Sequence, residues 1–440
     1  MEQQVSLDPE TQPIPQRWLT NYLPMWLGQI ISVLGSALVQ FALVWYLTEK
    51  TGSATILATA TLAALIPEVF LGPFSGAIVD RLNRKLIMIV SDLLVALATF
   101  VLVLLFAFNL IQVWHIFVIL FIRGIVGTFQ YPAMSASISL MVPKQHLTRL
   151  AGINQATRGA IQIAAPPLGA LLLSSLPMQG ILAVDLVTAA VAIFLLVVFV
   201  KVPQPKDNRA HEPISPRLVL KDVADGIKYT HAWKGMFLLM LGAALINMLA
   251  TPAFSLLPLY VTKHFMKGAS ELAWLESAMG IGVIFGGLVL GAWGGFKRKV
   301  LTILVGILGL GLGIVGLGLL GKEMYTFAIA IMAVLGVASA TANGPIGAIM
   351  QTKIPPEMQG RIFMVGNSMA SAASPLGLVV AGPLADKLGL QVFYVSAGLM
   401  CLAIGVFYYL NKQVYTLDNQ QPGGQLIEPV EVPVTVSIES

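Results

Sequence analysis

Long apolar stretches separated by short polar or basic segments fill the chain from about residue 20 to residue 411. Twelve of them are long enough for a helix to cross a hydrocarbon layer of about 30 Å. They cover residues 22–47, 55–79, 86–108, 112–134, 151–175, 179–201, 235–261, 270–293, 299–320, 324–346, 361–385 and 389–411. The pattern predicts an all-α membrane protein of twelve transmembrane helices. A soluble helical protein with a very large core would still need polar outer faces on its helices. Small residues recur within the spans, as at Ser75/Gly76 and at Gly280, Gly282, Gly286 and Gly287, where they allow close helix contact.

The longest internal connection, residues 202–234, divides the spans six plus six. Its first part, VPQPKDNRAHEPIS, is Pro-rich and charged and fits a linker. Ser215-Pro216 then fits a helix start. Val219, Leu220, Val223 and Ile227 follow on a stripe opposite Lys221, Asp222, Asp225 and Lys228. Two readings remain, a short amphipathic helix on the membrane surface or a plain solvated linker. The expected domains are an N-terminal tail (1–20), a six-helix bundle (21–201), the linker (202–234), a second bundle (235–411) and a disordered polar tail (412–440). The halves look related. PAMSASISLMVPKQHLTRLAGIN (132–154) parallels PIGAIMQTKIPPEMQGRIFMVGN (345–367), and Pro167-Leu168-Gly169 recurs as Pro375-Leu376-Gly377.

Composition supports this class. The chain is 57% hydrophobic and 11% charged, against about 25% charged in soluble proteins. The net charge of +5 does not point to nucleic acid, because the basic residues sit in short loops where they set orientation. Arg17, Arg81, Arg84, Lys85, Lys144, Arg149, Lys297, Arg298, Lys299, Lys353, Arg361, Lys412 and the linker cations fall on one side. Lys50, Lys263, Lys267, Lys322 and Lys387 fall on the other. The bias predicts both termini in the cytoplasm. The polar first twenty residues do not fit a cleavable signal peptide. Cys401 is the sole cysteine and the five histidines are scattered, so no disulfide and no metal cluster is expected. No nucleophile motif and no phosphate-binding loop is present, so an enzyme or ATP-driven pump is unsupported and no cofactor is expected.

The densest charge cluster is GAIVDRLNRK, residues 76–85, between the second and third spans. Gly76, Asp80, Arg81, Arg84 and Lys85 fit a conformational latch, and Asp92, about two turns into the next span, is a candidate partner. The bland reading is that these residues only set topology, but Asp80 adds nothing to topology. The spacing resembles the loop between helices 2 and 3 of the major facilitator superfamily. That resemblance implies two pseudo-symmetric six-helix halves, with the substrate site between them near the midplane. It also implies that the loop holds the outward-facing state and releases when the inside opens. GAWGGFKRK (291–299) is its degraded counterpart, without the acid.

Ionisable residues inside spans are costly and are functional candidates by default. Glu68 lies about 18 Å from the loop and Arg123 about 15 Å into the fourth span, both near the midplane. They are candidates to pair across the cavity and to couple transport to protons, or else form a static pair. Asp185 and Glu276, about two turns below the far surface, are candidates for cation binding or an outer gate, or are interface acids reached by water. Arg158 fits a structural role near Asn154 and Gln155. Gln29, Gln40, Asn247 and Asn343, with Ser32, are candidate cavity residues or interhelical hydrogen-bonding groups. Trp26, Phe41, Trp45, Phe70 and Phe74 either line an aromatic cavity or anchor span ends.

Arg123 opens Arg-Gly-Ile-Val-Gly, which resembles the span-four pattern of proton-coupled drug antiporters. Pro166-Pro167-Leu168-Gly169 resembles the helix-bending motif of exporters, although the full Gly-x-x-x-Gly-Pro pattern is missing. Residues 25–54, GPFSGAIVDRLNRK, PAMSASISLMVP and AGPLADKLG (381–389) together resemble a bacterial branch holding macrolide-type efflux proteins and enterobactin exporters. The resemblance implies export of amphipathic small molecules across a bacterial inner membrane by proton antiport. The expected partners are a small-molecule substrate, protons and the bilayer, with the chain acting as a monomer. The alternatives are a proton-coupled importer and a non-transporting sensor or scaffold.

Overall fold

The computed structural model describes residues 18–202, 228, 230–231, 233–354 and 356–419. Most of the linker, with Val219, Leu220, Val223 and Ile227 of its candidate amphipathic stripe, lies outside the described residues. The first half holds α1 (Leu19–Thr51), α2 (Ala54–Arg81), α3 (Arg84–Ala107), α4 (Val113–Met141), α5 (Lys144–Ser175) and α6 (Met178–Phe199). The second holds α7 (Lys234–Ser255), α8 (Leu257–Lys263), α9 (Ala269–Trp293), α10 (Lys299–Leu319), α11 (Tyr325–Lys353), α12 (Pro356–Leu388) and α13 (Leu390–Leu410), followed by the short α14 (Lys412–Tyr415).

Eleven of these helices are long and apolar enough to cross a membrane, and α5 is the long helix outside that set. It carries Asn154, Gln155, Arg158 and Gln162 along the wall of a cavity, which relieves that face of contact with lipid. The seventh expected span, 235–261, is two helices rather than one. The backbone turns at Leu256, and Pro258 sits in the first turn of α8, where its missing N–H costs no helical bond.

Residues 412–419 depart from the expected disordered tail. Val414 and Leu417 are buried, and Asp418 Oδ2 accepts the Val300 N–H at 3.1 Å at the start of α10. Lys353 Nζ donates to the Asp418 carbonyl at 2.8 Å. The tail thus supplies a carboxylate to a helix start whose own loop, GAWGGFKRK, carries none.

Close packing rests on small residues. A side chain at Gly336 would press on the Met279 carbonyl, and one at Gly282 on the Ala333 carbonyl, so α9 and α11 approach backbone to backbone. Gly336→Leu is therefore expected to abolish the monodisperse peak in detergent size-exclusion chromatography. Gly287→Leu, on the facing helix α9 but with nothing within 4 Å of its added carbon, should leave the peak unchanged.

Candidate functional site

Two buried clusters hold Arg123, Asp185 and Asp92 of the first bundle. In the first, Arg123 of α4 meets Asp185 of α6, not Glu68. Arg123 Nη1 donates to Asp185 Oδ2 at 2.9 Å. Thr99 of α3 donates to the same oxygen at 2.8 Å, and Ser36 of α1 donates to Oδ1 at 3.1 Å. Arg123 Nη2 donates to the Ser36 carbonyl at 3.1 Å. Asp185 is 0% exposed and Arg123 10%. Four helices therefore meet at one satisfied ion pair, away from the cavity lining. Depth along the helix placed Arg123 and Glu68 at similar heights but could not fix which way each faces. Asp185 likewise is no surface acid.

The second cluster centres on Asp92 of α3, which is 1% exposed. Gln29 Nε2 donates to Oδ2 at 2.9 Å. Ser32 and Gln130 donate to Oδ1 at 2.9 and 2.8 Å, and Gln130 also donates to Gln29 Oε1 at 3.0 Å. No cation forms an ion pair with Asp92 among the described residues. Its expected partnership with the basic loop is thus replaced by amides and a hydroxyl from α1 and α4, because Asp92 turns into the bundle while the loop cations lie beyond its end.

A cavity of about 700 Å³ lies between α1, α4 and α5. Gln29 forms part of its wall, which links Asp92 to the cavity through one side chain. Trp26, Tyr131, Ile30, Val33 and Met134 give it aromatic and aliphatic surface. Arg158 stands on the wall with its guanidinium carbon 3.9 Å from the Tyr131 ring centre. It is not paired with Asn154, which instead accepts from the Trp26 indole at 2.7 Å. Of the candidate aromatic residues only Trp26 lines this cavity. Phe41 and Trp45 are core residues, and Phe70 is exposed. Gln40 is half-buried and outside the lining.

The second half contains a smaller cavity of about 160 Å³ that includes Asn247, Thr251, Ser339 and Asn343. Asn247 and Asn343 donate to carbonyls one turn back in their own helices, those of Ala243 and Ser339. Glu276 is half-buried. It lies on the side of α9 opposite the exposed stripe of Trp274, Ile281, Phe285 and Leu288, and so faces the protein interior. Glu68 is exposed. It falls two turns along α2 from Thr61, whose hydroxyl meets Ser255 of α7, so it faces the space between the halves.

The Gly76–Lys85 loop is tied to its own half. Arg84 Nη2 reaches Asp80 Oδ1 at 3.0 Å, and Arg84 Nη1 donates to the Ala136 carbonyl of α4 at 3.0 Å. Lys85 Nζ donates to the Val197 carbonyl of α6 at 3.2 Å. Asp80 is 67% exposed, and nothing lies within 4 Å of a carbon added at Gly76.

The two halves touch through α2 against α12 and α5 against α9. Near the end opposite the loop these interfaces are tight. Asp386 of α12 accepts from the Ala54 and Thr55 N–H groups at 2.8 and 2.9 Å and from the Ser53 and Thr55 hydroxyls at 2.9 and 2.7 Å. One carboxylate thereby caps the start of α2 from across the interface. Further along, Ser277 donates to the Ile163 carbonyl at 2.9 Å. At the loop end the same helices face open space, with nothing within 4 Å of carbons added at Gly72, Gly76, Gly152, Gly287 or Gly291. The assembly is sealed at one end and parted at the other.

Several contributors were not singled out from sequence, among them Ser36 and Thr99, which hold the Asp185–Arg123 pair. Gln130 and Tyr131 sit mid-span on α4, where a lone amide or phenol carries no pattern. Asp386 lies in AGPLADKLG, where an acid at a span end is the one visible signal.

These features agree with the comparisons with known proteins. The profile of the Major Facilitator Superfamily matches residues 25–378 and, overlapping, 236–431. The chain is 31% identical over 401 residues to macrolide efflux protein A of Streptococcus pyogenes, covering 91% of this chain and 98% of that protein. It is 26% identical to the multidrug efflux pump Tap of Mycolicibacterium fortuitum, covering 87% and 94%. A bacterial homologue of the human lysosomal transporter Spinster, solved in an inward-facing and unoccupied conformation, superposes with a TM-score of 0.65 at 14% identity, covering 92% of this chain and 97% of that one. With its two helical halves, sealed at one end around a central opening, the chain belongs to the major facilitator superfamily.

Proposed function

We propose that the protein exports amphipathic small molecules from the cytoplasm by alternating access, driven by proton antiport, in a bacterial inner membrane with both termini inside. The observation that carries this reading is the mixed polar and aromatic cavity on the parted side of the molecule, closed from the opposite end by Asp386. The excess of Lys and Arg on the loop side supports a cytoplasmic position for that side. The structure is then the inward-open state, the one that loads from the cytoplasm, with the latch loop disengaged from the second half. The names of the two efflux relatives point the same way.

Proton coupling needs an acid that senses cavity occupancy. Asp92 fits through Gln29, and Glu68 fits through its exposure between the halves. The test is efflux of a macrolide and of a dye from a host lacking its own pumps, at matched expression, with and without a protonophore. Wild type should lower accumulation several-fold and lose the effect with protonophore. Asp92→Asn should abolish active efflux, and Glu68→Gln should reduce it. Efflux that survives the protonophore and both substitutions overturns proton coupling through these acids. Protonophore-sensitive uptake in place of efflux overturns the direction.

A further inference from the structure

We propose that the loop-end cavity binds the acidic group of an amphipathic substrate through Arg158, with the substrate's aromatic or apolar body beside Tyr131 and Trp26. This assignment rests on the reading of the cavity as the transport site and adds the chemical class of what it takes.

Among the described residues lining the cavity, Arg158 is the one charged side chain. The other polar groups of the wall are amides and hydroxyls, including Gln29, Asn154, Gln155 and Gln162. Its position is about 21 Å along α5 from the loop end, near the middle of the bilayer. A cation at that depth is costly unless it is paired or faces a wet cavity. The other arginine at such depth, Arg123, spends its donors on Asp185, Thr99 and Ser36. Arg158 makes no ion pair among the described residues. Its recorded partner is the face of Tyr131, and stacking on a ring leaves the edge of the guanidinium plane, with its N–H donors, free.

A planar fork of unused donors beside an aromatic ring matches a carboxylate, sulfonate or phenolate joined to a ring. A cationic substrate would meet an unpaired like charge on the same wall. Asp92 lies behind Gln29, outside the lining and 1% exposed, so a bound cation would not reach its oxygens. Glu68, the other unpaired charge facing the space between the halves, lies on α2 outside the lining.

The test uses two xanthene dyes of nearly the same shape, anionic fluorescein and a cationic rhodamine methyl ester. Binding to the purified full-length protein is followed by fluorescence polarisation at fixed ionic strength. Wild type should bind fluorescein at least about tenfold more tightly than the rhodamine. Arg158→Gln should weaken fluorescein about tenfold and leave the rhodamine unchanged or tighter, and Arg158→Lys should keep part of the preference. Equal affinity for the two dyes, a preference for the rhodamine, or an equal loss of both in Arg158→Gln overturns the assignment. If Arg158→Gln does not fold, the wild-type ratio and Arg158→Lys still decide it. Protonophore-sensitive efflux of a macrolide, together with wild type that does not bind fluorescein, overturns the acidic-group assignment and leaves export standing. Arg158-dependent fluorescein binding without efflux of any compound overturns export alone.

Discussion

Asp185→Asn should strip the protein of most of its folded yield. The carboxylate is fully buried and takes hydrogen bonds from Arg123, Thr99 and Ser36. Deleting one member of such a pair leaves the other charge without compensation, at a cost of about 3–5 kcal/mol. Total stabilities are about 5–15 kcal/mol, so the single substitution removes a large share. The double variant Arg123→Gln/Asp185→Asn removes both charges and should recover much of the loss, since a neutral pair of similar shape escapes the unpaired-charge penalty. Thermal unfolding of the detergent-purified variants checks this. A single variant that melts with wild type would show that Arg123 is hydrated in place and that the pair does not hold the bundle.

Asp386→Ala should open the end opposite the loop. In wild type the carboxylate caps α2 across the interface through four donors, which any opening of this end would have to break. The cap is partly exposed, so its bonds are discounted for solvent. A shift of about tenfold in favour of the state open at this end is a reasonable magnitude for such a coupling. Cysteine labelling reads it directly. Cys401 is 0% exposed, so the natural protein offers a silent background. Ser255→Cys sits where α7 meets Thr61 of α2. With Asp386→Ala it should react about tenfold faster with a membrane-impermeant maleimide from the far side than without it. Equal rates would place the seal elsewhere along the α2–α12 interface.

The twelve long helices, the six-plus-six division and the superfamily were legible in the sequence because apolar run length and Lys/Arg placement are one-dimensional signals. Partner choice was not. Rise per residue placed Glu68 and Arg123 at the same height, yet only the packing of α1, α3, α4 and α6 turns Arg123 toward Asp185. Asp92 was read as a candidate partner of the loop cations, whereas its donors come from residues 29, 32 and 130, far apart in the chain. Arg158 looked structural beside Asn154 and Gln155, since its stacking on Tyr131 belongs to a neighbouring helix. The tail misled for a simpler reason. Its overall polarity hid Val414 and Leu417, whose burial orders residues 412–419.

The buried pair of the first bundle also sets how the protein feels the membrane potential. An elementary charge carried through the full field is worth about 2.3 kcal/mol per 100 mV. Arg123 and Asp185 cancel and lie together in the first bundle, so any movement of that bundle as a unit carries no net charge on their account. The pair is electrically silent. Voltage then acts on the groups within the spans that make no ion pair among the described residues, Glu68, Asp92, Arg158 and Glu276, and on any charge that binds beside them.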